Sequence, residues 1–194
     1  MNEKSTGQRS DARERILECS RELFSEQTFA QVSMKDIAEK AGVSVALIVK
    51  HFGSKESLFE ATVDFTKSAS ALFSGPFDQL GKTAITETLM APFNAPYSMA
   101  RTISVASGAP DSMSAIGRRI KTDLFQVLTD RIRNESHVTT PSPELRAQSA
   151  LSLLIGVSIM RRFGDTEFES FDTETLISYY SGILQGIIDG SAPH

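Results

Sequence analysis

The sequence predicts an all-α protein. Apolar residues recur at helical spacing through most of the chain, and no alternating apolar and polar run is bounded by turn signals. Capping residues also stand just before several of the periodic stretches. With 194 residues, 40% apolar and 23% charged, the chain is long enough for one large or two small globular domains.

Residues 1 to 10 are polar and predict a loose arm carrying Lys4 and Arg9. From Asp11 a helix follows: Ile16, Leu17, Ser20, Leu23 and Phe24 form an apolar stripe opposite a charged face. Residues 27 to 31 make a loop, with Phe29 and Val32 set to pack beneath this helix.

Residues 33 to 52, SMKDIAEKAGVSVALIVKHF, predict two short helices meeting at a sharp turn. Ser33 and Asp36 form a capping box in which Asp replaces Glu. Gly42 can take the positive φ that lets the chain leave one helix and enter the next at a steep angle. Ser44 caps the second helix. This is the sequence form of a helix-turn-helix, whose second helix lies in the DNA major groove.

A further turn, Gly53 to Glu56, opens a long amphipathic helix through Leu58, Phe59, Phe65, Ala69 and Leu72 to Gly75-Pro76. A core of Ile16, Leu23, Phe24, Val32, Ile37, Ala38, Val43, Ile48, Phe52, Leu58 and Phe59 is expected beneath the first helices. The long fourth helix should run on unbroken as a stiff link. Further helices are expected near 82–92 and 97–106, then from Asp111 or Ser112 through Ile132. Ser142-Pro143-Glu144 marks another helix start, and a last helix should span about Thr173 to Asp189.

Net charge is −4, so a basic footprint for nucleic acid has to be local. Between Phe29 and Lys55 four lysines face Asp36 and Glu39, an excess of two positive charges. Cys19, alone, excludes an internal disulfide and fits a reducing, cytoplasmic setting. The longest nearly apolar run, from Ala150 to Met160, is far short of the ~18 residues of a membrane span. His51, His137 and His194 lie far apart, and there is no Gly-rich phosphate loop, nucleophile elbow or Cys/His cluster. No enzyme, cofactor or metal site is expected.

Residues 11 to 60 resemble the N-terminal domain of the tetracycline-repressor (TetR) family of bacterial transcription regulators. The resemblance rests on RERILECSRELFSEQTF, VSMKDIAEKAGVS and KHFGSKESLF in that order. Ala38, Gly42 and Ile48 also fall at the fifth, ninth and fifteenth positions from Met34. It implies a helix-turn-helix DNA-binding domain over 11–60. A larger helical effector-binding and dimerisation domain over 61–190 should follow, in a homodimeric, ligand-responsive repressor on double-stranded operator DNA. The competing reading is a helical protein-interaction module.

On a helical wheel Val45, Ala46, Val49 and Lys50 share one side of the recognition helix, with Ile48, His51 and Phe52 opposite and Leu47 between. Val45, Leu47 and Val49 stand where relatives commonly carry polar contacts, so a largely apolar reading head is expected. It would pack on thymine methyl groups, with Lys50 donating to guanine or phosphate. Ser33 and Lys55 are the expected phosphate contacts, and His51 is expected to be a packed, hydrogen-bonded imidazole. The resemblance also implies a small-molecule pocket in the middle segment. Its aromatic and Met-rich residues Phe73, Phe77, Met90, Phe93, Tyr97, Arg101 and Met113 are the candidates. The wide stripes of the last two helices supply the candidate dimer interface: Leu151, Leu154, Ile155, Ile159, Tyr180, Ile183, Leu184 and Ile187.

Overall fold

A computed structural model describes residues 3–91, 110–163 and 171–191, excepting side chains at 3–10, 111, 162 and 163. Among the described residues the regular structure is helical throughout. The expected helix near 97–106, and the side chains of Phe93, Tyr97 and Arg101, lie outside them. The chain divides into two compact units.

The first unit runs to Asp64 and takes in a later helix as far as Arg119. It holds α1 (Glu3–Glu26), α2 (Met34–Ala41), α3 (Val45–Phe52) and α4 (Lys55–Thr62). Helix α1 begins at Glu3 rather than Asp11. Glu, Lys, Gln and Arg are good helix formers, and Gly7 alone costs only ~1 kcal/mol against Ala. The core forms where expected, with Ile16, Ile37, Ile48 and Leu58 fully buried. Phe24, Phe29 and Phe59 pack ring on ring, with centroids 5.0 to 5.9 Å apart. Val43 and Phe52, expected in the core, are only half-buried.

The second unit holds α5 (Thr66–Leu72), a short turn of 3-10 helix at Phe77–Gln79, and α6 (Leu80–Met90). Helix α7 (Pro110–Ile120) passes through a π-helical turn, Lys121–Phe125, into α8 (Gln126–Glu135). Then come α9 (Pro143–Phe163) and α10 (Thr173–Asp189). The expected unbroken helix after Lys55 is interrupted at Val63–Phe65, where the two units divide. Val63 turns extended, and the Phe65 amide donates to the Asp123 carboxylate at 3.1 Å instead of to a carbonyl one turn back. Burying that amide against a carboxylate offsets the lost helical bond.

Helices α6 and α10 cross at backbone distance. A Cβ on Gly81 would stand 2.5 Å from the Ser181 carbonyl oxygen, so only glycine fits. Gln185 closes the crossing, accepting from the Gly81 amide at 2.8 Å and donating to the Phe77 carbonyl at 3.1 Å. Buried Arg146 of α9 ties down the end of α10 by donating to the carbonyls of Ile188 and Val138 and to the Ser136 hydroxyl. Burial pushes its pKa down.

Candidate nucleic-acid interface

The helix-turn-helix is specified locally at each of its ends. Ser33 accepts from the Asp36 amide at 3.1 Å while the Asp36 carboxylate accepts from the Ser33 amide at 2.8 Å. The same carboxylate takes the Ser33 hydroxyl proton at 2.6 Å, and these bonds hold the Asp36 pKa below its usual value. Gly42 sits at φ 63°, its amide donating to the Ala38 and Glu39 carbonyls. Val43 follows by donating to Ala38 at 2.9 Å, so the turn satisfies the end of α2. Ser44 then caps α3 by accepting from Leu47 at 3.2 Å.

One side of α3 is anchored and the other is open. Ile48 is fully buried, whereas Val45 and Val49 are 39% and 47% exposed. Ala46 and Lys50 share the exposed side, and Leu47 is half-buried between them. His51 packs beside Phe52, with ring centroids 6.3 Å apart. Its Nε2, however, is buried without the hydrogen bond expected of it.

Two of the expected phosphate contacts are already engaged. The Ser33 hydroxyl serves the capping box. Lys55 lies over the Phe29 ring, 4.2 Å from its centroid, and desolvation there lowers its pKa. The cations of this unit fall into two groups. Lys40 pairs with Glu22 and Arg118 with Glu60; Arg21–Glu14 and Arg119–Asp64 are looser, at 3.9 Å. Arg13, Arg15, Lys35, Lys50 and Lys55 have no ion-pair partner among the described residues. Three of these five belong to α2, α3 and the start of α4, and the others reach across from α1. Arg15 Nε donates to the Ala41 carbonyl at 3.0 Å, and the Arg13 guanidinium lies over the Phe52 ring. Sequence reasoning passed over both arginines, because a wheel of α1 puts them on its charged, outward side.

The other expected site residues are less well grouped. Phe73 belongs to the core of the second unit, Phe77 is half-buried, and Met90 is 64% exposed. Met113 is 44% exposed but falls in the first unit. Among the candidate interface residues, Leu151, Leu154 and Leu184 are at most 4% exposed in the single chain. They face inward because α9 and α10 each turn one flank of a wide apolar stripe into the unit's own core. Ile155, Ile159, Tyr180 and Ile187 are half-buried and Ile183 is 40% exposed. Tyr179, Met160 and Leu145, all more than half exposed, were not anticipated; their solvent-facing positions are visible only once the inward flank is fixed.

Comparison with known proteins supplies the frame for this geometry. Residues 16–62 match the family model described as bacterial regulatory proteins, tetR family. The HTH-type transcriptional regulatory protein RaaS of Mycobacterium tuberculosis is 50% identical over 54 residues, which cover 28% of this chain and 25% of RaaS. The matched segment is therefore only a quarter of that relative's length. The nucleoid occlusion factor SlmA of Vibrio cholerae is 24% identical over 87% of this chain and 92% of its own. A crystal structure of a TetR-family regulator from Streptomyces coelicolor superposes with a TM-score of 0.58 at 24% identity. That superposition covers 92% of this chain and 95% of the other. The structural likeness speaks for the fold over nearly the whole length, and the first two likenesses for the motif that opens it. Residues 16–62 are thus similar to the segment that bacterial regulatory proteins of the tetR family share, and nearly the whole chain has the fold of a TetR-family regulator.

Proposed function

We propose that the protein is a sequence-specific DNA-binding transcriptional regulator. In this reading it is a repressor that occupies a near-palindromic operator as a homodimer and is released by a small, largely apolar effector. The observation that carries the DNA-binding reading is the open side of α3. Two valines, an alanine and a lysine stand exposed on a helix whose opposite side is locked by Ile48. Solvent-facing valines on so short a helix gain nothing in the free protein. In a major groove Val45, Ala46 and Val49 pack on thymine methyl groups, and Lys50 donates to guanine or phosphate. Ser33, Leu47 and Lys55 flank this face and set its register on the backbone. Ser33 meets a phosphate as a donor only once its hydroxyl turns away from the Asp36 carboxylate.

Dimerisation is supported by the chemistry of α9 and α10. From Leu145 to Met160 the only charged residue is Arg146, which is buried, and from Thr175 to Ile188 there is none. What these helices expose is apolar or small and neutral: Tyr179, Ile183, Met160, Gly156 and Gly182, with open space above both glycines. Two copies meeting there would let backbones approach closely, as an isologous two-fold interface requires. Effector binding is assigned to the middle segment around Phe77 and Met90. Release of DNA then requires the effector to prefer one state of the dimer.

Selection of bound duplexes from a random pool tests the proposal. Recovery of two inverted half-sites, bound in a salt-sensitive complex, is the expected outcome. Recovery of no common sequence would favour the helical protein-interaction module instead.

A further inference from the structure

We infer that Arg13 of α1 is a DNA-phosphate contact, held in position by the ring of Phe52, the last residue of the recognition helix. This deepens the DNA-binding reading above and rests on it. The Arg13 guanidinium carbon lies 5.1 Å from the Phe52 ring centroid, and the side chain is exposed. A cation held over a ring face engages no hydrogen-bond acceptor, so the guanidinium keeps N–H donors for a further partner. A phosphate is bound through such donors, two N–H groups to two oxygens. The ring therefore orders the side chain without consuming the donors, and less ordering remains for the moment of binding.

The neighbouring cations make Arg13 distinct. Arg21 and Lys40 face Glu14 and Glu22, so their charge is offset within the protein. Arg15, two residues on, spends its Nε on the Ala41 carbonyl, which makes it a cap for the end of α2. Arg13 has neither an acid nor a carbonyl partner among the described residues. It stands at the end of α3 that carries exposed Lys50, opposite the Ser44 cap. The reading helix thus has an unpaired guanidinium, supplied by another helix, fixed at its far end.

The test uses the full-length protein with the selected operator and a scrambled duplex of equal length, titrated across a salt series. Arg13→Gln should weaken binding to both duplexes by the same factor. It should also make the slope of log affinity against log salt shallower by about 0.9 per protomer, the signature of one lost phosphate contact. Melting should fall only slightly, because Arg13 is exposed and loses only its contact with the Phe52 ring. In a Phe52→Leu background, adding Arg13→Gln should change affinity by a smaller factor than in the parent. An unchanged slope in Arg13→Gln overturns the inference, as does a loss confined to the operator, which would make Arg13 a base contact. A parent protein without salt-dependent DNA binding would sink the regulator reading itself, before Arg13 is reached.

Discussion

Two exposed apolar surfaces, one on each unit, differ in what surrounds them. The valines of α3 sit among unpaired cations, with Lys50 beside them and Arg13 at the helix end. Tyr179, Ile183 and Met160 sit on helices that present no charge over more than three turns. The first surroundings suit a polyanion whose grooves carry apolar methyl groups. The second suit another uncharged surface of the same kind. Exposure alone would have grouped them; neighbouring charge separates them, and the two proposals rest on that difference.

The largest effect that would break this contrast is electrostatic. Ile183→Glu places like charges against each other across a two-fold interface, at a cost of several kcal/mol, and should leave a monomer by sedimentation. A dimer that survives it lies elsewhere on the molecule. Within α3 the two sides should respond oppositely. Ile48→Ala empties a fully buried site and should lower unfolding free energy by about 2–5 kcal/mol. Val49→Ala should stay within about 0.5 kcal/mol in stability, yet weaken the operator complex. Lys50→Ala should weaken the same complex by about 1–3 kcal/mol if it reads a base. A uniform loss on all sequences with a shallower salt slope assigns it to phosphate.

A smaller effect isolates the apolar contacts: replacing a contacted thymine by uracil removes one methyl and should cost about 0.8 kcal/mol. The smallest is acid sensitivity. Hydrogen bonds from Ser33 hold Asp36 below its ordinary pKa of 3.8; bonds from Thr175 do the same for Asp172. The unfolded chain takes up protons first, so stability is full above the ordinary value and lost as pH falls through the lower folded one. Both carboxylates are exposed, and melting temperatures should change little until pH falls below about 4.

The parts of the fold legible in the sequence are those whose causes are local. Ser33, Gly42 and Ser44 set the helix-turn-helix from within a dozen residues, and Ser142 and Asp172 mark later helix starts in the same way. The break after Thr62 was hidden because its cause, Asp123, lies 58 residues from Phe65. The burial of Leu151, Leu154 and Leu184 was not legible because a helical stripe does not say which flank meets the chain's own core. Arg13 escaped notice for a similar reason, since its partner Phe52 is on another helix.

The apolar side of α3 has one more consequence, for epigenetic marking. On the proposed reading, a surface of Val45, Ala46 and Val49 would sense a methyl group in the major groove rather than the hydrogen-bonding edge of the base beneath it. Cytosine methylated at carbon 5 displays that methyl where thymine does. An operator carrying the mark at a contacted position would thus regain part of the affinity lost on replacing thymine there by cytosine. If α3 reads DNA as proposed, promoter occupancy would then respond to cytosine methylation with no residue dedicated to detecting it.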